Sequence, residues 1–325
     1  MAMNDILQLS DDKTTVLSVK DKNVKSVIIP DSVTKIGKEA FEDCRSLKNI
    51  DIPDSVTEIG EWAFIRCSSL KSINISNSVT EIREQAFLGC CSLESIDIPD
   101  SVTKIGKRAF ANCSSLESVN VAKNNSVYKS VDGILYNNKL TSIIHFPLKH
   151  SNTSFVIPDS VTEIGEWAFF GCSSLKSIDI PSSVTEIGKS AYNGCSSLKS
   201  VDIPDSVTEI GEWAFFGCSS LKSIDIPNSV TKIGEGAFFG CRKLKSIDIP
   251  NSVTKIGESA FDGCEYIKSI IIRCKDIDNI KIGDNPFNDN IYNKSVLHIP
   301  SETRLAYRHH PIFGKFKNIV TERFD

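Results

Sequence analysis

The side chains best suited to chemistry in this sequence are its thiols. Nine of the eleven cysteines (Cys44, Cys67, Cys90, Cys113, Cys172, Cys195, Cys218, Cys241 and Cys264) fall 23 residues apart within two runs. Thiols can ligate metals, cross-link or act as nucleophiles, and each role needs a particular convergence of groups. A zinc site needs Cys and His brought together at C-x-x-C or similar spacing, whereas here the interval is uniform and the five histidines sit elsewhere. Neighbouring rungs of a stack present parallel side-chain vectors, which disfavours disulfides, and eleven is an odd number. The regular interval therefore predicts inward-facing, reduced thiols that act as small core residues. His309-His310 lacks a third ligand, Asp276-Ile277-Asp278-Asn279 reads as a solvated loop, and Ser-Ser pairs such as Ser173-Ser174 recur as turn elements without a partner His or Asp. Nucleophile-elbow, phosphate-loop, H-E-x-x-H and EF-hand patterns are missing. The expectation is a protein with no catalytic residues, no metal and no cofactor, and not an enzyme.

The cysteines mark a repeat. Ile52 to Asn74 is one unit of 23 residues, with copies beginning at Ile29, Ile52, Ile75, Ile98, Ile157, Ile180, Ile203, Ile226 and Ile249; Ser160 to Pro181 recurs verbatim as Ser206 to Pro227. Within a unit, Leu70-x-x-Ile73-x-Ile75 alternates like a strand, and Val56-x-x-Ile59 supplies a second short extended piece before Gly60. Ala63, Phe64 and Cys67 have helical spacing, so Glu61 to Cys67 is expected to form a single helical turn. No coil of this length buries its apolar face alone, so copies must stack, and the Leu, Ile, Val, Phe and Cys positions become core columns.

Residues 1–28 lack the motif and are expected to cap the stack, followed by repeats 1–4 over 29–121. An irregular enlarged coil over 122–156 contains a hairpin pattern around Asp132-Gly133; repeats 5–9 then occupy 157–272 and a C-terminal cap 273–325, all in one solenoid. The 325 residues carry 37 basic and 41 acidic side chains, for a net charge of -4 without a basic tract, which argues against a nucleic-acid partner. No apolar run is long enough to span a membrane, so membrane insertion is not expected, and Met1 to Asp5 shows no export signal.

The recurring Ile-Pro-x-Ser-Val-Thr-x-Ile-Gly-x-x-Ala-Phe-x-x-Cys-x-x-Leu resembles the BspA-type leucine-rich repeat family. Tyr128 to Tyr136 is similar to that family's Tyr-x-Ser-x-Asp-Gly-x-Leu-Tyr segment, and Leu297 to Ile319 to its closing unit. The resemblance covers nearly the whole chain. It implies a leucine-rich-repeat right-handed solenoid (α/β repeat class, strand-rich) with N- and C-terminal caps. It also implies a non-enzymatic adhesion or protein-binding role, on a microbial cell surface or secreted, with host or cell-surface proteins as partners. Two alternatives remain: an intracellular (cytoplasmic) scaffold, consistent with reduced thiols, and a self-assembling structural repeat protein. The chain is expected to be a monomer, with end-to-end association open.

If function lies in a surface, two repeat positions stand out. The residue between the two Ile of the first strand forms an outward acidic column that includes Asp179, Asp202, Asp225 and Asp248, with Lys176, Lys199, Lys222 and Lys245 three residues upstream as an ordinary neutralising row. Trp62, Trp167 and Trp213 share one position, which other copies fill with Glu39, Gln85, Arg108, Ser190, Gly236 and Ser259; acceptance of polar residues there implies exposure. Three residues on stand Ile65, Phe170 and Phe216, so each pair would form an apolar patch for a protein ligand.

Overall fold

A 23-residue coil must find partners for its backbone N–H and C=O groups as well as cover for its apolar side chains. In the computed structural model, which describes residues 6–324, both needs are met by coils stacked in register. Met1 to Asp5, on which the expectation of no export signal falls, and Asp325 lie outside the described residues. The chain divides into two compact units, Met1–Ser151 and Asn152–Asp325, with the boundary inside the stretch where the repeat breaks register.

In the first unit an antiparallel hairpin, Leu7–Leu9 with Thr15–Val19, starts a row of two-residue strands at Lys35–Ile36, Glu58–Ile59, Glu81–Ile82 and Lys104–Ile105. The longer strands pair in parallel, Asn49–Asp51 with Ser72–Asn74 and Ser95–Ile98 with Ser118–Val121, always between residues 23 apart. The second unit repeats the scheme with Glu163–Ile164 through Lys281–Ile282 on one side. Its other side carries Ser154–Val156, Ser177–Asp179, Ser200–Asp202 and Ser223–Asp225, and then a sheet of Ser246–Ile249, Ser269–Ile272, Val296–Pro300 and Asn318–Glu322. Two short helices, Asp289–Lys294 and Arg304–His309, connect the last rungs.

The expected helical turn over Glu61 to Cys67 is not a helix. Trp62 and Arg66 adopt left-handed φ values of 56° and 59°, and the N–H groups alternate in direction. Ala63, Ile65 and Cys67 donate back to Gly60, Trp62 and Phe64, while Trp62, Phe64 and Arg66 donate forward to Glu84, Ala86 and Leu88 of the next coil at 2.7–3.1 Å. Trp213, Phe215 and Gly217 do the same to Glu235, Ala237 and Phe239 in the second unit. A helix would spend every N–H within its own coil; the flattened turn ladder leaves half of them to join coils.

Inside, each column repeats one packing solution. Phe41, Phe64, Phe87 and Phe110 stack with centroids 4.9, 5.3 and 5.9 Å apart, and Phe169, Tyr192, Phe215, Phe238, Phe261 and Phe287 continue the pattern in the second unit at 5.1–5.4 Å. The nine repeat cysteines are buried and all eleven are free thiols. Each thiol in the middle of a stack donates to the carbonyl of the aromatic residue one coil back, as in Cys67 to Phe41 at 3.0 Å and Cys218 to Tyr192 at 3.2 Å. The same carbonyls already accept the Cys N–H of their own coil, so the thiol uses the second lone pair. Burial pushes the thiols of Cys113, Cys218 and Cys264 up to about 12.

The irregular coil is organised by Asn125, which is buried. Its amide donates to the carbonyls of Pro99 and Val102 at 2.8 and 2.9 Å and accepts from the N–H groups of Val127 and Tyr128 at 2.9 and 2.8 Å. The hairpin of Tyr128–Val131 with Ile134–Asn137 turns through Asp132-Gly133, both at positive φ, as expected for this dipeptide. His145 lies beside Phe110 in the core, with no hydrogen-bond partner for Nε2, and burial pushes its imidazole down to about 4.

Two outcomes follow from these burials. In native protein a thiol-specific reagent labels Cys91, the exposed cysteine, far faster than the nine repeat cysteines, which react only as the stack opens; uniform labelling of all eleven would refute the buried, protonated ladder. His145 is held neutral because its folded pKa lies below the ordinary value near 6.5, so its contribution is complete above that value and is lost as the pH falls toward 4. Denaturant melts at pH 7 and pH 5 should show that His145→Phe removes about 2 kcal/mol of acid destabilisation seen in the parent chain.

Candidate binding surfaces

The Trp position is left-handed throughout the repeat: φ is 56°, 63° and 56° at Trp62, Trp167 and Trp213, and also positive at Glu39, Gln85, Arg108, Ser190, Gly236 and Ser259. Glycine suits such a backbone, and an L-residue there costs about 1–2 kcal/mol. The three indoles are half-buried. The sequence-based expectation of a uniformly exposed column needs correcting, because Ser190, one coil beyond Trp167, has 0% exposure and Gly236, one coil beyond Trp213, is also buried. Gly236 lies directly under the Trp213 indole, where a Cβ would overlap the ring. Trp167 and Trp213 are thus each followed by a small buried residue one coil on, whereas Trp62 is followed by Gln85, a difference between adjacent coils that a single repeat does not display.

Ile65, Phe170 and Phe216 are half-buried too. Trp167 meets Phe170 edge to face at 5.1 Å, and Trp213 meets Phe216 at 5.5 Å. Phe239, which the sequence reading did not single out, stacks on Phe216 at 5.2 Å and tilts against Trp213 at 6.1 Å, so this patch is a three-ring cluster. In the first unit Lys38 places its ammonium 4.3 Å from the centre of the Trp62 ring, and the indole N–H of Trp62 is buried without an acceptor. The pairing of Trp with the apolar residue three on was legible from spacing; the part played by the next coil was not.

Asp179, Asp202 and Asp225 are exposed and make no ion pair among the described residues, including with the lysines three positions upstream. Asp248 is different: Arg273 clamps both of its carboxylate oxygens at 2.9 and 2.7 Å. The column begins in an exposed apolar residue in each unit, Ile28 at 65% and Val156 at 69% exposure, and passes from Asp248 to Ile271, His298 and Val320. Ile28 could have been found from the register of Ile28-Ile29-Pro30 with Asp51-Ile52-Pro53.

Other polar groups are committed to the stack. Lys189 and Glu212 pair at 2.7 Å, which raises the lysine and lowers the carboxyl relative to their ordinary ranges. His310 caps its helix and accepts weakly from the N–H groups of Ile312 and Phe313, while His309 faces solvent. Among the described residues no group of three or more His, Cys, Asp or Glu is placed to hold a metal ion, and no helix is long and apolar enough to cross a membrane.

Stacked 23-residue coils with a core of Leu, Ile, Phe and Cys columns define a leucine-rich-repeat solenoid. The family model described as "BspA type Leucine rich repeat region" matches residues 18–141, 144–268 and 185–307 in six copies, and the chain belongs to this family. Among solved structures, a leucine-rich repeat protein of Eubacterium ventriosum is 22% identical with a TM-score of 0.69, over 83% of this chain and 86% of that one. The pneumococcal vaccine antigen PcpA is also 22% identical, with a TM-score of 0.64 over 96% and 83% of the two chains. These two show the shared fold. A leucine-rich cell surface protein of Faecalibacterium prausnitzii is 26% identical, with a TM-score of 0.51 over 98% and 93%. No curated protein matches the chain.

Gly236→Ala is expected to lower stability by about 2 kcal/mol or more, because it adds a Cβ both at φ +54° and beneath the Trp213 ring. The indole should be displaced toward water, with a red-shifted emission. Combined with Trp213→Ser, the same change should cost markedly less; an equal cost in both backgrounds would show that Gly236 does not serve to seat the indole.

Proposed function

We propose that the chain is a non-enzymatic protein-binding module that mediates adhesion, presented at a microbial cell surface or secreted. The observation that carries this reading is the placement of three half-exposed indoles at one repeat position, two of them packed edge to face on a half-exposed phenyl ring three residues on. The contact residues are Trp62 with Ile65 in the first unit, and Trp167 with Phe170 and Trp213 with Phe216 in the second. Aromatic side chains of this kind supply most of the energy in protein interfaces, and the exposed carboxylates of Asp179, Asp202 and Asp225 would steer a basic partner toward the stack, whereas Asp248 is already held by Arg273. The presence of a cell-surface protein among the solved relatives supports the surface location.

The eleven free thiols favour a second reading, an intracellular scaffold with the same contact surface, since exposed Cys91 is best kept reduced in a reducing compartment.

The test is binding of the purified chain to intact host cells and to immobilised matrix proteins, beside a Trp167→Ser/Trp213→Ser variant matched for its folded spectrum. Saturable binding that falls at least tenfold in the variant is the expected result. Equal binding by the variant would remove the aromatic patches from the reading. Absence of binding by the parent chain to every such surface would overturn adhesion and favour the scaffold.

A further inference from the structure

The second residue of the Thr-x-Ile-Gly strand is charged in every repeat, and its sign is distributed differently in the two units. In the first unit the column reads Lys35, Glu58, Glu81, Lys104, and it neutralises itself: Lys35 meets Glu58 at 2.9 Å, Lys104 meets Glu81 at 2.7 Å, and Arg83 adds a second cation to Glu58. In the second unit the column reads Glu163, Glu186, Glu209, Lys232, Lys255, Lys281, three acids followed by three bases. Backbone pairing holds like charges in register, Glu163 beside Glu186 and Lys232 beside Lys255 and then Lys281. Glu209 and Lys232 meet at 3.0 Å where the sign changes, whereas Glu186, Lys255 and Lys281 take part in no ion pair among the described residues.

Rungs of a stack lie about 4.8 Å apart, so this row of six spans roughly 24 Å along the sheet. An arrangement of three acids followed by three bases at even spacing is its own complement under a two-fold rotation that reverses the stacking direction. We infer that the Thr-x-Ile-Gly face of the second unit is a docking surface for a second copy of this chain, packed antiparallel. Glu163 of one copy then opposes Lys281 of the other, Glu186 opposes Lys255, and Glu209 opposes Lys232, each pair occurring twice, as an isologous contact requires. The first unit's column cannot do this, because the same rotation sets lysine on lysine at both ends.

The surroundings allow the approach. The threonine hydroxyls beside the column turn along the stack to the preceding carbonyl, Thr185 to Thr162 and Thr254 to Thr231, and so need no outside partner. On the other side a groove of about 290 Å³, floored by Gly234, Gly257 and Gly283, opens next to the lysines. Across the groove runs an acidic row in which Glu212 faces Glu235 of the second copy; this repulsion limits the affinity and makes association most visible at low ionic strength. The sequence alone favours a monomer, and the segregated column is the reason to expect otherwise.

Sedimentation velocity over a rising concentration series decides the matter. In dilute buffer the mass should move from one chain to two, with association weakened at least tenfold by about 0.5 M salt, which shortens the Debye length to a few ångströms. Lys232→Glu/Lys255→Glu/Lys281→Glu and Glu163→Lys/Glu186→Lys/Glu209→Lys should each stay monomeric with a melting curve like that of the parent, and an equimolar mixture of the two should dimerise. If a triple variant melts early, Lys255→Glu alone should weaken the dimer and Lys255→Glu/Glu186→Lys should restore it, since the rotation again pairs unlike charges. A single-chain mass at every concentration in dilute buffer, or a dimer indifferent to these reversals, would overturn the proposal.

Discussion

Every feature of this molecule depends on backbone groups finding partners one coil away. A 23-residue coil with two short strands and a flattened turn satisfies only part of its N–H and C=O groups internally. The remainder cross to the neighbour from the strand of Ser200 to Asp202, from threonines such as Thr57, Thr185 and Thr231, and from alternate residues of the turn around Phe215. These bonds lock the register, because a slip by one residue would turn a strand's core side chains outward and move the left-handed turn positions onto residues that resist them. The same register places each core side chain over its copy in the next coil. Hydrogen bonding and apolar burial therefore specify one arrangement between them.

That constraint multiplies whatever occupies a column. Inside, repetition is favourable: rings stack at about 5 Å and thiols donate in series to the carbonyls beneath them. One departure shows the cost of varying a column, since Tyr192 replaces Phe and leaves its buried hydroxyl without a partner. Outside, repetition is unfavourable wherever the residue is charged. Like charges one rung apart repel by roughly 0.9 kcal/mol in water, reduced further by salt. The first unit offsets this by setting Lys35 and Lys104 on either side of Glu58 and Glu81, with Arg83 close to both carboxylates, and Asp248 is neutralised by Arg273. Asp179, Asp202 and Asp225 are left exposed and without an ion pair among the described residues.

Much of the fold is legible in the sequence because a column repeated many times averages away local ambiguity. Ile29 to Ile249 mark the coils, and the Phe and Cys positions mark the core. The return segment departs from its helical expectation for a physical reason. Ala63, Phe64 and Cys67 have the spacing of a helical face, but helical periodicity and a turn ladder place apolar residues alike over so short a stretch. What separates them is the direction of the N–H groups of Trp62, Phe64 and Arg66, which only the neighbouring coil determines. The candidate surface was legible to the same extent. Trp167 and Phe170 could be paired from spacing, whereas the burial of Ser190, the seat of Trp213 on Gly236 and the clamp of Arg273 on Asp248 all join residues of different coils.

The two verbatim repeats make this point most sharply. Ser160 to Pro181 and Ser206 to Pro227 are the same peptide, yet the residue one coil beyond the indole is Ser190 in one case and Gly236 in the other, where Trp213 lies over the glycine and against Phe239. Both copies adopt the same backbone, but each takes part of its surface from the coil that follows. Duplication of a unit therefore copies the fold without copying the surface, and one substitution in an adjacent coil changes what an unchanged tryptophan presents. The unit on which a binding surface is built in this chain is the pair of coils, as the seat of the Trp213 indole on Gly236 shows.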